Sequence, residues 1–208
     1  HWKKLGIKFD CLYTGFLGSM QTVEAAVEIA RDLKKQGATI AVDPAMAENG
    51  ALYSIFDDKY RDKMFELCAV ADIVMPNFTE GKMLAGLDMT LEPNSANAEM
   101  ILNILRSKGY SKVLLSGIMH DGKQGTALLC GERISFQMNE SFPAYIHGAG
   151  DCLSSVFVGK FMSGQSMERA AQIAVDFCKE AIAVSLEQKV DLRFGLLIEK
   201  VIPMLVKK

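Results

Sequence analysis

Neither sign of charge dominates this chain: 23 Lys and Arg face 25 Asp and Glu, a formal net charge of −2. No basic footprint exists for a nucleic-acid partner. No apolar run reaches the ~18 residues that a membrane helix needs, so no membrane partner is expected. The opening His1-Trp2-Lys3-Lys4-Leu5-Gly6 lacks the apolar stretch of a signal peptide. Cys11, Cys68, Cys130, Cys152 and Cys178 form no CxxC pair and are odd in number. That argues against a disulfide framework or zinc site, and for a reducing cytoplasm. His1, His120 and His147 have no metal-ligand spacing and read as surface or loop residues. Internal repeats, low-complexity segments and a domain boundary are also missing. What is present is apolar matter: half of the 208 residues, enough for one sizeable core.

Hydrophobic periodicity predicts alternating strands and helices. Phe9–Leu17 reads as a buried strand running into a glycine turn. Ser19 is a candidate N-cap, after which Val23, Ala26, Val27, Ala30 and Leu33 recur at helical spacing until Gly37. Ala38–Val42 is a second strand, ending in Asp43-Pro44, and such a strand–helix–strand unit implies parallel pairing. The pattern repeats with a helix over 57–71, a strand Asp72–Met75 and a short helix capped by Asn77 or Thr79. A further helix places Met100, Ile101, Ile104 and Leu105 on one face, and Lys112–Ser116 is the next strand. The expected class is α/β, a mostly parallel central sheet flanked by helices on both faces. Thr126–Cys130 and Ile134–Met138 read as a small antiparallel meander, with Ser135 and Gln137 on a wet face. Helices are expected over 151–162, 167–186 and 194–206.

In open α/β sheets, ligands bind beyond the carboxyl ends of the strands. The polar stations expected there are Thr14-Gly15-Phe16, Asp43-Pro44, Asn77–Glu80, Ser116-Gly117 and the loop Gly148-Ala149-Gly150-Asp151. That loop precedes an apolar helix, whose start presents unpaired N–H groups and a positive dipole end to an anion. Asp151 reads either as the N-cap of this helix or as a general base beside the anion. The other stations also have ordinary readings. Asp43 suits a turn before Pro44, and Asn77 with Glu80 suits a capping box. Phe16 suits a core position at a strand end. Cys152 suits a small buried hydrophobe, or a thiol activated by a helix start. Together, two acids, an amide and an anion-binding loop suit a metal-bound phosphate, because Mg²⁺ prefers carboxylates, water and phosphate oxygens.

The order Asp43-Pro44-Ala45-Met46, Pro76-Asn77-Phe78-Thr79-Glu80 and Gly148-Ala149-Gly150-Asp151 resembles the ribokinase-like superfamily. Within it the chain is most similar to the pyridoxal (pyridoxine, pyridoxamine) kinases. These share a strand-end Thr-Gly-aromatic like Thr14-Gly15-Phe16, and an acid and a tyrosine after the Asp-Pro turn, like Glu48 and Tyr53. The resemblance covers essentially the whole chain as one kinase domain, 1–208. It implies ATP-dependent phosphorylation of the 5′-hydroxymethyl group of a B6 vitamer. Asp151 would be the base, and the N–H groups of Gly148, Ala149 and Gly150 would neutralise charge on the transferred phosphoryl. Asp43, Asn77, Glu80, Ser116, Gly148 and Gly150 would bind the nucleotide. Asp43, Glu48 and Glu80 would hold Mg²⁺, directly or through water. Gly15, Phe16, Tyr53 and Asp151 would face the vitamer, with Phe16 stacking on its ring. ATP and Mg²⁺ are thus implied, with room for a monovalent cation such as K⁺. A homodimer is implied by the resemblance alone.

Departures from the family pattern carry information. Ala149 stands where Thr is usual, which removes a hydroxyl but keeps the backbone donors. Glu48 stands where many relatives have Asp. Hydroxymethylpyrimidine kinases of the superfamily often carry Cys in place of the loop acid, whereas this chain keeps Asp151 and has Cys152 next. The chain opens without Met, in what reads as a connector before a strand, so the family's first strand or strands and part of the acceptor site are expected upstream. A hydroxymethylpyrimidine or sugar kinase, and a non-catalytic nucleotide-binding remnant, are the alternative readings.

Overall fold

The computed structural model describes residues 2–140 and 148–206. His147, beside the glycine loop, and His1 lie outside the described residues.

Strands β1 (Cys11–Thr14), β2 (Thr39–Val42), β5 (Ile73–Val74) and β6 (Lys112–His120) pair in that order and in parallel. Strands β7 (Lys123–Cys130) and β8 (Arg133–Glu140) extend the same sheet antiparallel, giving six strands. Side chains alternate strictly between the two faces. Ile40, Val42, Val74, Val113 and Leu115 enter one core. Ala41, Ile73, Met75, Leu114 and Leu128 enter the other. Strands covered on both sides must be apolar at successive positions, which is why they read as continuous runs. Helices α1 (Met20–Lys35), α2 (Asp58–Val70), α3 (Phe78–Ala85) and α4 (Ser95–Ser107) cover the first face. Helices α5 (Ala149–Met162) and α6 (Met167–Glu187) cover the second. No helix among the described residues is long and apolar enough to cross a membrane.

Several expectations are corrected. Helix α5 starts at Ala149, with Gly148 as its N-cap in the left-handed region (φ 80°), so Asp151 sits in the first turn and is not the cap. The buried stripe of α4 is Ala98, Ile101, Leu102 and Leu105, while Met100 is turned outward. In β8, Gln137 is buried and Phe136 is 36% exposed, the reverse of the expected wet face. Helix α6 packs over that polar side, and Asn139 Nδ2 donates to Asp176 Oδ1 at 3.0 Å. The expected helix over 194–206 is broken into single 3-10 turns and a short α7 (Pro203–Val206). Pro203 lacks an N–H and clashes with the preceding turn, so it tolerates only a helix start. A two-stranded hairpin, β3 (Ala47–Glu48) with β4 (Ala51–Leu52), was not expected. Its turn is Asn49-Gly50, both at positive φ (52° and 82°), as a two-residue hairpin turn requires.

Candidate active site

The carboxyl ends of the parallel strands and the start of α5 enclose a cavity of about 660 Å³. Every residue expected to bind nucleotide, cation or acceptor lines it except Gly15, which stands beside it. A methyl group placed on Gly15 would lie 3.9 Å from Asp151 Oδ1, so β1 delivers Gly15 opposite that acid.

Helix α3 fastens one wall. Asn77 accepts from the Glu80 N–H at 3.0 Å and Glu80 Oε2 accepts from the Asn77 N–H at 2.9 Å, a complete capping box. The other carboxylate oxygen, Oε1, accepts from the N–H groups of Met46 (2.9 Å) and Ala47 (3.2 Å). Asn77 Nδ2 donates to Ala47 O at 2.7 Å, and Thr79 Oγ1 accepts from the Gly50 N–H at 3.1 Å. The cap of α3 therefore clamps the β3–β4 hairpin. That hairpin carries Glu48, and Tyr53 follows it directly, so both reach the cavity. Glu80 is 1% exposed. Burial pushes its carboxyl up to about 7, against the pull of its three N–H donors. Oε1 is thus taken up by two N–H groups, while Oε2 accepts one and keeps a lone pair. Ser116 is brought beside Asn77 by a parallel bridge, and its N–H donates to Pro76 O at 3.0 Å.

Asp43 ends β2 and is 8% exposed. Burial first, then the nearby Glu80 carboxylate, push it up to about 8, while the Ser154 hydroxyl pulls it down by donating at 2.8 Å. Ser154 was missed by sequence reading, although it follows Asp151 by one turn and so shares its helix face.

The start of α5 forms the opposite wall. Gly148, Ala149, Gly150 and Asp151 all line the cavity. The helix has no side-chain cap, so its first N–H groups face the cavity without a capping oxygen. Cys178 of α6 donates to Ala149 O at 3.8 Å, and its side chain holds the neighbouring Cys152 thiol below the ordinary value despite burial.

Phe16 is 56% exposed, which removes the core reading. It packs at the mouth against Tyr53 and Phe56, with centroids 6.4 and 5.6 Å away. Across from it, α6 contributes Val175, Cys178, Lys179 and Ile182. Their spacing of three, four and seven residues is a helix face, a signal present in the sequence but not read as a site. Lys179 pairs with Glu140 at 3.2 Å.

Lys179 is the one cationic side chain among the described lining residues, against the carboxylates Asp43, Glu48, Glu80, Glu140 and Asp151. Among the described residues no three His, Cys, Asp or Glu gather closely enough to hold a metal alone. Such a site fits an ion carried with phosphate, since Mg²⁺ takes one or two carboxylates and fills its remaining positions with water and phosphate oxygens.

The model of the phosphomethylpyrimidine kinase family matches residues 5–193. Pyridoxine kinase of Bacillus subtilis is 26% identical over 186 residues, which cover 86% of this chain and 66% of that protein. A structure described as a candidate phosphomethylpyrimidine kinase from Bacteroides thetaiotaomicron, in a crystal form with pyridoxal, is 30% identical. Its TM-score is 0.90 over 99% of this chain and 74% of its own. Pyridoxal kinase from Lactobacillus plantarum is 26% identical, with a TM-score of 0.85 over 98% of this chain and 74% of its own. The chain spans 52–66% of the length of the first curated relatives it matches. With this match along nearly its whole length, the chain belongs to the phosphomethylpyrimidine kinase family, as a ribokinase-like protein of the pyridoxal kinase type.

Proposed function

We propose that the protein is an ATP-dependent kinase that phosphorylates the 5′-hydroxymethyl group of a B6 vitamer. The observation that carries this reading is the start of α5. There an acid, Asp151, stands beside uncapped backbone N–H groups, in the same cavity as the buried Asp43. The kinship with a pyridoxine kinase and with a fold seen in a crystal form with pyridoxal supports the choice of acceptor.

The acceptor ring rests between Phe16 and Tyr53, with its hydroxymethyl group pointing past Gly15 to Asp151. Asp151 takes the hydroxyl proton as the oxygen attacks the γ-phosphorus of ATP, and the bond from that phosphorus to the β–γ bridging oxygen breaks to release ADP. The N–H groups of Gly148, Ala149 and Gly150 hold the phosphoryl oxygens, where charge is spread in the transition state. Asp43, Glu48 and Glu80 would hold Mg²⁺, directly or through water. The ion supplies charge neutralisation on the ATP phosphates. Asn77 and Ser116 flank the phosphates, and the α6 face of Val175, Lys179 and Ile182 borders the nucleoside.

The family also contains phosphomethylpyrimidine kinases, so a hydroxymethylpyrimidine is the second acceptor to consider. ADP release is measured with pyridoxal, pyridoxine, pyridoxamine, hydroxymethylpyrimidine and ribose as acceptors. Highest kcat/KM is expected with a B6 vitamer. Preference for the pyrimidine would replace the acceptor, and no turnover on any of the five would overturn the kinase reading.

A further inference from the structure

Ser154 lies one turn beyond Asp151 on α5 and is 3% exposed. Its hydroxyl donates to Asp43 Oδ2 at 2.8 Å, across 111 residues of sequence. A buried serine in a helix usually turns its proton back to the carbonyl one turn earlier. Here the proton goes to an acid on another element. Asp43 is tied at its backbone too, where its N–H donates to Thr14 O at 2.8 Å. Tyr13, the neighbour of Thr14 on β1, lies at the same corner, near Asp43, Ser154 and Ser155. A serine hydroxyl has one proton, and Asp43 receives it.

We propose that Ser154 is a positioning residue of the phosphoryl-transfer site. By holding one oxygen of Asp43, it aims the other at the cation and ties that acid to the helix turn carrying Asp151. The inference rests on the kinase reading above. Its physical content is a fixed relation between base and metal-holding acid. Asp151 and Ser154 move together on one helix, so the hydrogen bond sets where Asp43 stands relative to the attacking hydroxyl. An alanine at 154 would fill most of the same space yet leave Oδ2 of a buried carboxylate without this donor.

The test is calorimetric titration of ATP, once in Mg²⁺ and once in EDTA. It compares wild type, Ser154→Ala, Asp43→Asn and the Ser154→Ala/Asp43→Asn double variant, each with its melting curve. Loss of a hydrogen bond to a charged group predicts that Ser154→Ala weakens binding in Mg²⁺ about 10- to 100-fold and binding in EDTA less than about twofold. In the Asp43→Asn background, Ser154→Ala should add nothing. Equal weakening with and without Mg²⁺, or a Ser154→Ala effect that survives intact without the Asp43 carboxylate, overturns the inference and leaves the kinase reading standing. Wild-type binding that ignores Mg²⁺ overturns the functional reading itself.

Discussion

Replacing Glu80 with glutamine separates a clamp from a ligand. The carboxylate receives three backbone N–H groups on two oxygens while almost fully buried. Glutamine keeps the shape but turns one oxygen into a donor. In its better orientation, the amide oxygen keeps Met46 and Ala47, and the NH₂ meets the Asn77 N–H, donor against donor. The flipped orientation loses two bonds in place of one. One charge-assisted bond is therefore forfeited and one buried N–H is left bare, a loss of about 1.5–3 kcal/mol. Glutamine also buries no charge, and burial is what raises this carboxyl to about 7, so part of the loss is offset. The net expectation is a destabilisation of about 1–2 kcal/mol for Glu80→Gln, and about 3 kcal/mol or more for Glu80→Ala, which bares all three donors and leaves a void. Urea melts give these values, and hydrogen exchange at the Met46 and Ala47 amides locates them. Those amides should lose protection ahead of the sheet, and turnover should fall because Glu48 and Tyr53 lose their mount. Unchanged stability and protection in Glu80→Gln, together with a raised Mg²⁺ requirement, would refute the clamp and make Glu80 a direct holder of the ion.

Three further outcomes are expected. Asp151→Asn should lower turnover by about two to four orders of magnitude, the usual worth of a general base, with ATP affinity nearly unchanged by calorimetry. Near-normal turnover would remove Asp151 from the chemistry. Gly150→Ala should raise stability by up to about 1 kcal/mol, because the position is helical and a Cβ there meets nothing within 4 Å. It should still cut turnover, since that open space is where a phosphate would lie, and turnover at the wild-type level would place the phosphate elsewhere. Gly15→Val puts methyl groups beside Asp151 Oδ1, so the acceptor KM should rise while ATP affinity holds, and steady-state kinetics with each substrate varied in turn separates the two.

The parts of the fold that the sequence announces are those set by local periodicity. Strands buried on both sides read as apolar runs, and Ser19 and Asn77 cap helices where their spacing says they should. The stations of the site were legible for a topological reason, because a parallel sheet gathers its carboxyl ends on one rim. What escaped depended on contacts between distant residues. Ser154 reads as an ordinary helix serine until Asp43 arrives beside it. Gln137 reads as solvent-facing until α6 covers it. The β3–β4 hairpin is a different failure, because Asn49-Gly50 is a local signal, but its strands are only two residues long and show no alternation. The break in the C-terminal helix has a local sign too, since Pro203 interrupts the stripe near its end.

The correction at Gly148 changes how the loop works. Helices α1, α2, α3, α4 and α6 each begin with a Ser, Asp or Asn side chain that accepts a first-turn N–H. Helix α5 begins with glycine and has no such bond. A side-chain cap at 148 would consume one of the donors that a phosphoryl group needs. Asp151 acting as the cap would consume its own carboxylate, since an N-cap oxygen is bonded to the N–H two or three residues on. Glycine at the cap, with the acid three residues later, leaves both the donors and the acid open to the cavity. Glycine also tolerates the left-handed turn at φ 80° that starts the helix there. A glycine start costs the helix only about 0.3 kcal/mol relative to a side-chain cap. Asp151 is therefore not the cap: in the first turn it sits at the positive end of the helix dipole with its carboxylate free of a capping bond, the arrangement that the proposed base requires.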